Sequence, residues 1–113
     1  MSENTKEVTM ENFESIVEEN EIVILDFWAD WCKPCHMFAP IFEAMAEIHR
    51  DIFWGKVNTE TAKELSTAFQ VRSIPTLMVF KKTELVFEQS GLIPPDALED
   101  LIAKVRELKV SIV

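Results

Sequence analysis

The sequence contains few cysteines, few glycines and no long apolar run. Its 113 residues include two cysteines, which lie three positions apart, and two glycines. A disulfide between residues so close in sequence closes almost no loop, so it would stabilise a fold very little. The cysteine pair is therefore better explained by chemistry than by structural support. The apolar runs are too short to cross a bilayer, so no membrane-spanning helix is predicted.

Basic residues are also scarce, since 11 Lys and Arg stand against 20 Asp and Glu and the formal net charge is −9. No basic cluster reverses this balance, so we expect neither nucleic acid nor a membrane as a partner. The first nine residues, Met1–Thr9, are polar and acidic and lack the pattern of a signal peptide. We therefore expect a cytoplasmic protein. In that reducing setting a Cys-x-x-Cys pair is typically catalytic or metal-binding.

Apolar residues make up 48% of the chain, which is enough for a core in one domain spanning residues 1–113. Helices and strands alternate and a hairpin and a helix follow, which predicts an α/β fold of three layers with a central mixed sheet flanked by helices. Met37 and Met45 are predicted to belong to the core, and the apolar tail Val110–Val113 to be a frayed end. The predicted elements are a helix after Thr9, strand 22–28, helix 33–49 kinked at Pro40, strand 52–58, helix 62–69, strands 76–80 and 85–90 joined across 81–84, and a helix from Pro95.

Cys32 and Cys35 follow the predicted buried strand and open the predicted long helix. Two thiols at this spacing can close a disulfide within one helical turn. The first thiol would also lie beside unpaired backbone N–H groups and the positive end of the helix dipole, which stabilise the reactive thiolate. A Cys-x-x-Cys pair is a weak signal alone and a strong one in this context.

Three other functions of the cysteine pair need consideration. Cys32–His36 also fits the Cys-x-x-Cys-His pattern of haem attachment, but that reading requires an exported protein. A structural zinc site needs about four ligands, and only His36 and His49 could join the cysteines. An iron–sulfur cluster would have to be shared between two chains. We therefore expect no bound metal or cofactor.

Over nearly its whole length the sequence resembles the thioredoxin family. Several independent motifs occur in the family's order and spacing, which is far more specific than the cysteines alone. They are the strand end 26–29, the site Trp31-Cys32-Lys33-Pro34-Cys35, Pro40 in the long helix, Lys56 in the strand beside Asp26, Ile74-Pro75-Thr76 at the cis-proline loop, and Gly91 beside the substrate groove.

The resemblance implies a dithiol–disulfide oxidoreductase that reduces disulfides in target proteins. Cys32 would be the exposed nucleophile and Cys35 the buried resolving thiol, with the Cys32–Cys35 disulfide as the redox-active group. Electrons would come from NADPH through a thioredoxin reductase, and the partners would be that reductase and disulfide-containing proteins. We expect a monomer. The alternative is a thioredoxin-like binding or docking subunit whose redox activity is incidental.

Asp26 is an acid inside an apolar run, so its pKa should be raised toward neutrality. The resemblance makes it a proton carrier for Cys35, whereas the alternative is a strand-end aspartate satisfied by local hydrogen bonds. Lys56 would tune this acid through its charge or would be a solvated lysine.

The remaining site residues are assigned by the resemblance. Ile74, a cis Pro75, Gly91 and an exposed Trp31 would bind substrate, although a trans proline is the usual case. Pro34 and Lys33 would modulate the site. Lys33, His36 and Ser73 depart from the family's commonest residues, and the Lys33 ammonium should favour the Cys32 thiolate by less than ~1 kcal/mol. Trp28 and Trp54 are assigned to packing.

Overall fold

A computed structural model describes residues 4–110. Five strands and four helices are present in this part of the chain. Strands and helices alternate up to the fourth strand, which is followed directly by the fifth strand and the last helix. The elements are β1 (Thr5–Glu7), α1 (Met10–Glu19), β2 (Ile22–Trp28), α2 (Lys33–Ile48), β3 (Phe53–Asn58), α3 (Lys63–Ala68), β4 (Thr76–Lys81), β5 (Glu84–Ser90) and α4 (Pro95–Glu107).

The five strands form one mixed sheet in the order β1-β3-β2-β4-β5. β1, β3 and β2 run parallel, while β4 is antiparallel to both β2 and β5. β2 lies at the centre, and its register places Phe27 opposite Thr76. The carboxyl end of β2 therefore meets the beginning of β4, together with the loop that precedes it.

Alternate residues of β2 enter two different cores. Ile22 and Ile24 pack in a cluster with buried residues of α2 and α4. Val23, Leu25 and Phe27 pack on the opposite face with Val17 of α1 and Leu65 of α3. Since successive side chains of a strand point to opposite faces, the sheet is covered on both sides and the molecule has three layers. The fold class predicted from the sequence is confirmed.

Most predicted elements are confirmed within one or two residues, including the Thr9 cap of α1 and Pro95 at the start of α4. The strand β1 was not predicted, because its three residues, Thr5–Glu7, carry no apolar alternation. Residues 111–113 of the apolar tail lie outside the described residues.

The assignment of both α2 methionines to the core is half wrong. Met45 is buried, whereas 58% of Met37 is exposed. The core face of α2 is set instead by Phe38 and Phe42, which lie four positions apart, on successive turns, with ring centroids at 5.9 Å.

Gly55 shows why one of the scarce glycines lies inside a strand. A Cβ atom at this position of β3 would come within 2.6 Å of Val8 Cγ2 and 2.7 Å of Leu25 Cδ2. Such contacts are shorter than packed carbon atoms allow, so any larger residue here would displace the buried side chains of Val8 and Leu25.

Lys81 was predicted to lie in the hairpin turn, but it is the last residue of β4 and only 4% of it is exposed. Its Nζ donates hydrogen bonds to the carbonyl oxygens of Val105, Arg106 and Leu108 at 2.7, 3.0 and 2.6 Å. Val105 and Arg106 lie in the last turn of α4 and Leu108 is its C-cap residue, at the end of the helix where carbonyls lack an N–H partner four residues ahead. The Val105 carbonyl also accepts the Leu108 backbone N–H at 3.2 Å. A buried ammonium thus caps the carboxyl end of the last helix.

Replacing this cap tests its contribution. We expect Lys81→Met to lower the free energy of unfolding by about 2–4 kcal/mol, because three hydrogen bonds from a charged group are lost and the Arg106 and Leu108 carbonyls lose this donor. Denaturant unfolding of the disulfide form measures the change. Lys104→Met, at an exposed position of α4, is the control and should change stability by less than about 0.5 kcal/mol. Equal losses in the two variants would show that Lys81 does not cap the helix.

Candidate active site at the carboxyl end of the central strand

The loop after β2 delivers the cysteine pair to the start of α2. Cys32 is the N-cap of α2, and its Sγ accepts a hydrogen bond from the Cys35 backbone N–H at 3.2 Å. Pro34 occupies the first turn, where a missing N–H costs nothing. Cys32 and Cys35 form a disulfide across a Cα–Cα distance of 5.2 Å, within the usual range.

The two cysteines do not differ in exposure as expected, since Cys32 is 3% and Cys35 2% exposed in the disulfide form. They differ in what they face. Cys32 lines an open depression of about 470 Å³, whereas Cys35 does not line it. Ala29 and Ile74 pack against Cys32 and cover most of it, while the residue still lines this depression. The exposed nucleophile predicted from the sequence is thus a covered residue at the edge of a surface depression.

The loop before β4 lies against the disulfide because β2 and β4 are paired. The Ile74–Pro75 peptide bond is cis, which confirms the expectation. Cys32 Sγ lies 3.7 Å from the Ile74 carbonyl oxygen. Gly91, at φ 97°, donates its backbone N–H to the Pro75 carbonyl at 2.8 Å. The structure thus brings Ile74, Pro75 and Gly91 to the same edge of the sheet as Cys32.

Asp26 is completely buried in β2, on the sheet face that α2 covers. Within the described part of the chain, neither carboxylate oxygen has a hydrogen-bond partner. Burial raises the pKa of Asp26 from 3.8 to about 7, the Lys56 charge lowers this pKa in part, and Glu43 raises it. The raised pKa confirms the expectation, and an aspartate satisfied by local hydrogen bonds is not what the structure contains.

Lys56 lies opposite Asp26 in the register of β2 and β3. Its Nζ is 4.0 Å from Asp26 Oδ2, too far for a hydrogen bond, and 5.0 Å from the centre of the Trp28 ring. The side chain is 10% exposed, so Lys56 is a buried cation held beside the acid and not a solvated lysine.

The aromatic residues divide as predicted. Trp31 is 70% exposed beside the depression, and Trp54 is buried in the core. Trp28 is partly buried and meets the His36 ring edge to face at 6.4 Å.

The sequence did not reveal that His36 Nε2 contacts the Asp30 carbonyl oxygen at 2.6 Å, which ties the active-site loop to α2. Only the side-chain geometry shows this bond.

The structure also adds residues that the sequence left unassigned. The depression at Cys32 is lined by Trp31, Cys32, Lys33, Pro34, Thr59, Val71, Arg72, Ser73 and Ile74. Thr59 follows β3, and residues 71–73 precede β4, so both come to the edge where β2 ends. Their positions depend on strand order, which the sequence alone did not give.

Among residues 4–110 no group of three or more His, Cys, Asp and Glu side chains could hold a metal ion. No helix in that part of the chain is long and apolar enough to cross a membrane.

Comparisons with known proteins agree with this site. The family model described as Thioredoxin matches residues 4–104. A protein of Streptomyces coelicolor named putative thioredoxin 2 is 46% identical over 108 residues, covering 96% of this chain and 81% of its own length. A thioredoxin of Alicyclobacillus acidocaldarius is 38% identical, over 89% of this chain and 97% of its own. The solved structure of a mutant thioredoxin from Halobacterium salinarum is 36% identical and superposes with a TM-score of 0.85, covering 97% of this chain and 98% of that one.

Asp26→Asn tests the buried carboxyl through the pH dependence of stability. The carboxyl ionises near 3.8 when unfolded and near 7 when folded. Between these values the folded state keeps a proton that the unfolded state has lost, so stability falls as pH rises through this window and levels off above it. Asn does not ionise, so the stability of Asp26→Asn does not fall in this window. The free energy of unfolding of the variant, relative to that of the native chain, should therefore rise by roughly 4 kcal/mol between pH 4 and pH 8.

Denaturant unfolding of the disulfide form at several pH values measures this difference. Asp30→Asn, at an exposed aspartate in the following loop, is the matched control and should change stability little at any pH. A constant difference between Asp26→Asn and the native chain from pH 4 to pH 8 would contradict the buried-acid assignment.

Proposed function

Because the chain belongs to the thioredoxin family, and is a dithiol–disulfide oxidoreductase with a redox-active Cys32–Cys35 pair, we propose the following roles for its residues. Cys32 is the nucleophile that reduces disulfides of target proteins, and Cys35 is the resolving thiol. The observation that carries this assignment is the disulfide at the N-terminus of α2, with Cys32 and not Cys35 facing the open depression.

The reaction begins from the reduced dithiol. The Cys32 thiolate attacks one sulfur of the substrate disulfide, so the substrate S–S bond breaks and a mixed disulfide with Cys32 forms. The released substrate thiolate takes up a proton. The Cys35 thiolate then attacks Cys32 Sγ, and the second substrate thiol leaves. Two electrons and two protons pass to the substrate, and the chain is left with its Cys32–Cys35 disulfide.

The N-terminus of α2 supports the thiolate at Cys32. Cys32 Sγ already accepts the Cys35 backbone N–H, and the dipole of α2 places partial positive charge at the same point. Lys33 adds a cation next in sequence. The N–H group, the helix dipole and the Lys33 cation all stabilise negative charge on the sulfur, so they favour the thiolate, which is the form that attacks disulfides.

Asp26 takes the Cys35 proton during resolution. A general base works best when its pKa lies near the working pH, and burial raises the pKa of Asp26 to about 7. Lys56 is a positioning residue whose charge limits that rise. Because the unpaired carboxylate lies on the sheet face beneath α2, it can exchange a proton without first breaking a hydrogen bond.

Trp31, Ile74, Pro75 and Gly91 bind the substrate segment around the attacked disulfide. The Ile74 carbonyl oxygen, 3.7 Å from Cys32 Sγ, is available to pair with the substrate backbone. Pro34, in the first turn of α2 and in the lining of the depression, modulates the site.

Electrons come from NADPH through a thioredoxin reductase, which restores the dithiol after each cycle. The partners of this chain are that reductase and disulfide-containing proteins. The chain acts as a monomer, as one thioredoxin domain over residues 1–113, in the reducing cytoplasm. The net charge of −9 supports the proposal that neither nucleic acid nor membrane is a partner. A docking subunit with incidental redox activity is the second candidate, and the exposed Trp31 beside the depression is the feature that favours it.

A coupled assay tests the function. Catalytic amounts of the chain, with NADPH and a thioredoxin reductase, should reduce a protein disulfide such as those of insulin, and NADPH consumption follows the reaction. The chain reduced beforehand with dithiothreitol is the control that separates its own chemistry from recognition by the reductase. If neither form reduces insulin, the docking function is supported instead.

Single cysteine variants test the two roles. Cys35→Ser should accumulate a mixed disulfide with the protein substrate, since Cys32 can still attack and nothing resolves the adduct. Cys32→Ser should capture no substrate, and non-reducing electrophoresis distinguishes the two. Equal capture by both variants would overturn the assignment.

A further inference from the structure

Two depressions, one of them lined by Cys32, adjoin each other on the surface. The depression at the disulfide shares Thr59, Val71 and Arg72 with a second one of about 460 Å³, which continues along α3 to Lys63. We call the two together the basic furrow. Cys32 and residues 71–74 of the loop before β4 line its first part, so a segment next to an attacked disulfide would lie along it.

The charges along the basic furrow oppose the charge of the whole chain. Lys33, Arg72 and Lys63 line it, and no Asp or Glu of the described residues does. Acids outnumber bases 20 to 11 in the sequence, so a surface chosen at random would be expected to carry more acidic than basic side chains. Asp30, Glu60 and Glu64 are next in sequence to lining residues, but all three are exposed and none lines the furrow.

The three cations are also unpaired. Within residues 4–110 the ion pairs at 4.0 Å or less join His49 to Glu99, Lys56 to Asp26 and Arg106 to Asp51. None of them uses a furrow cation. The ammonium and guanidinium groups of the furrow are therefore available to an incoming carboxylate.

We propose that the basic furrow selects target proteins whose segment beside the attacked disulfide carries Asp or Glu. The proposal rests on the disulfide-reducing function given above and names its substrate class. Lys33 and Arg72 meet side chains close to the substrate cysteine, and Lys63 meets those farther along the segment. Charge complementarity at a binding surface acts mainly on specificity and on the association rate.

The preference for acidic or for basic substrates distinguishes this proposal from an effect of the chain's net charge. A chain of net charge −9 should, taken as a whole, attract a basic substrate and repel an acidic one. The basic furrow predicts the reverse order for segments that reach Cys32. Three exposed ion pairs should together favour an acidic segment by roughly tenfold at low salt. This preference should shrink as salt screens the charges.

Three disulfide-bonded peptides of equal length provide the test. They differ only in three flanking residues, which are Glu in one, Ser in the next and Lys in the third. The rate constants for their reduction by the dithiol form are measured after acid quenching and chromatography. The ratio of the Glu to the Lys peptide should be roughly tenfold at low ionic strength and should fall toward one in concentrated sodium chloride. This ratio cancels any change in the intrinsic reactivity of Cys32.

Matched charge reversals locate the effect. Lys63→Glu should lower the ratio by about fivefold. Lys109→Glu makes the same charge change near Leu108, whose carbonyl binds Lys81 at the opposite end of β2 from the furrow. It should leave the ratio nearly unchanged, and circular dichroism verifies that both variants are folded.

A native ratio of one or less, or equal effects of the two variants, would overturn the acidic preference. Reduction of the Ser peptide in that case would leave the disulfide-reducing function standing. Failure to reduce any of the peptides would instead count against that function, and the preference would fall with it.

Discussion

The position of β2 between two partner strands, with helices over both of its faces, is the constraint from which the site follows. Ile24 enters one core and Leu25 the other, so the strand cannot slip by one residue without exchanging the two. This register fixes Asp26 on the α2 face and brings the end of β2 beside Thr76. The loop before β4 must then lie against the loop that carries Cys32. Strand pairing therefore brings the cis proline to the disulfide.

The parts that could be predicted from the sequence are those in which local pattern decides the structure. The short, β-branched run 22–28 favours a covered strand, and Pro95 suits the first turn of a helix. Cys32 at an N-cap follows from the same local logic. Asp26 also belongs here, since an acid inside such a run has to be buried and its pKa has to rise.

The parts that could not be predicted depend on partners far away in the sequence. Lys81 follows an apolar strand and precedes another lysine, which is typical of a turn, but the carbonyls that bury it lie 24 to 27 residues away. Met37 matches the helical register of the core residues, yet the two phenylalanines of α2 take the inner face. The covered state of Cys32 likewise arises from packing with Ala29 and Ile74. Periodicity identifies the apolar face of a helix, but it does not show how much of that face the neighbouring elements cover.

The distance between Lys56 and Asp26 decides what the buried acid can do. At 4.0 Å the ammonium lowers the pKa of the carboxyl through space but donates no hydrogen bond to it. A direct hydrogen-bonded pair would stabilise the carboxylate strongly, and its pKa would then fall too far for the group to hold a proton at neutral pH. The Trp28 ring, 5.0 Å from the same ammonium, attracts the cation from a second side. Burial and a cation held just beyond hydrogen-bonding distance therefore act in opposite directions, and their balance leaves the Asp26 pKa at about 7.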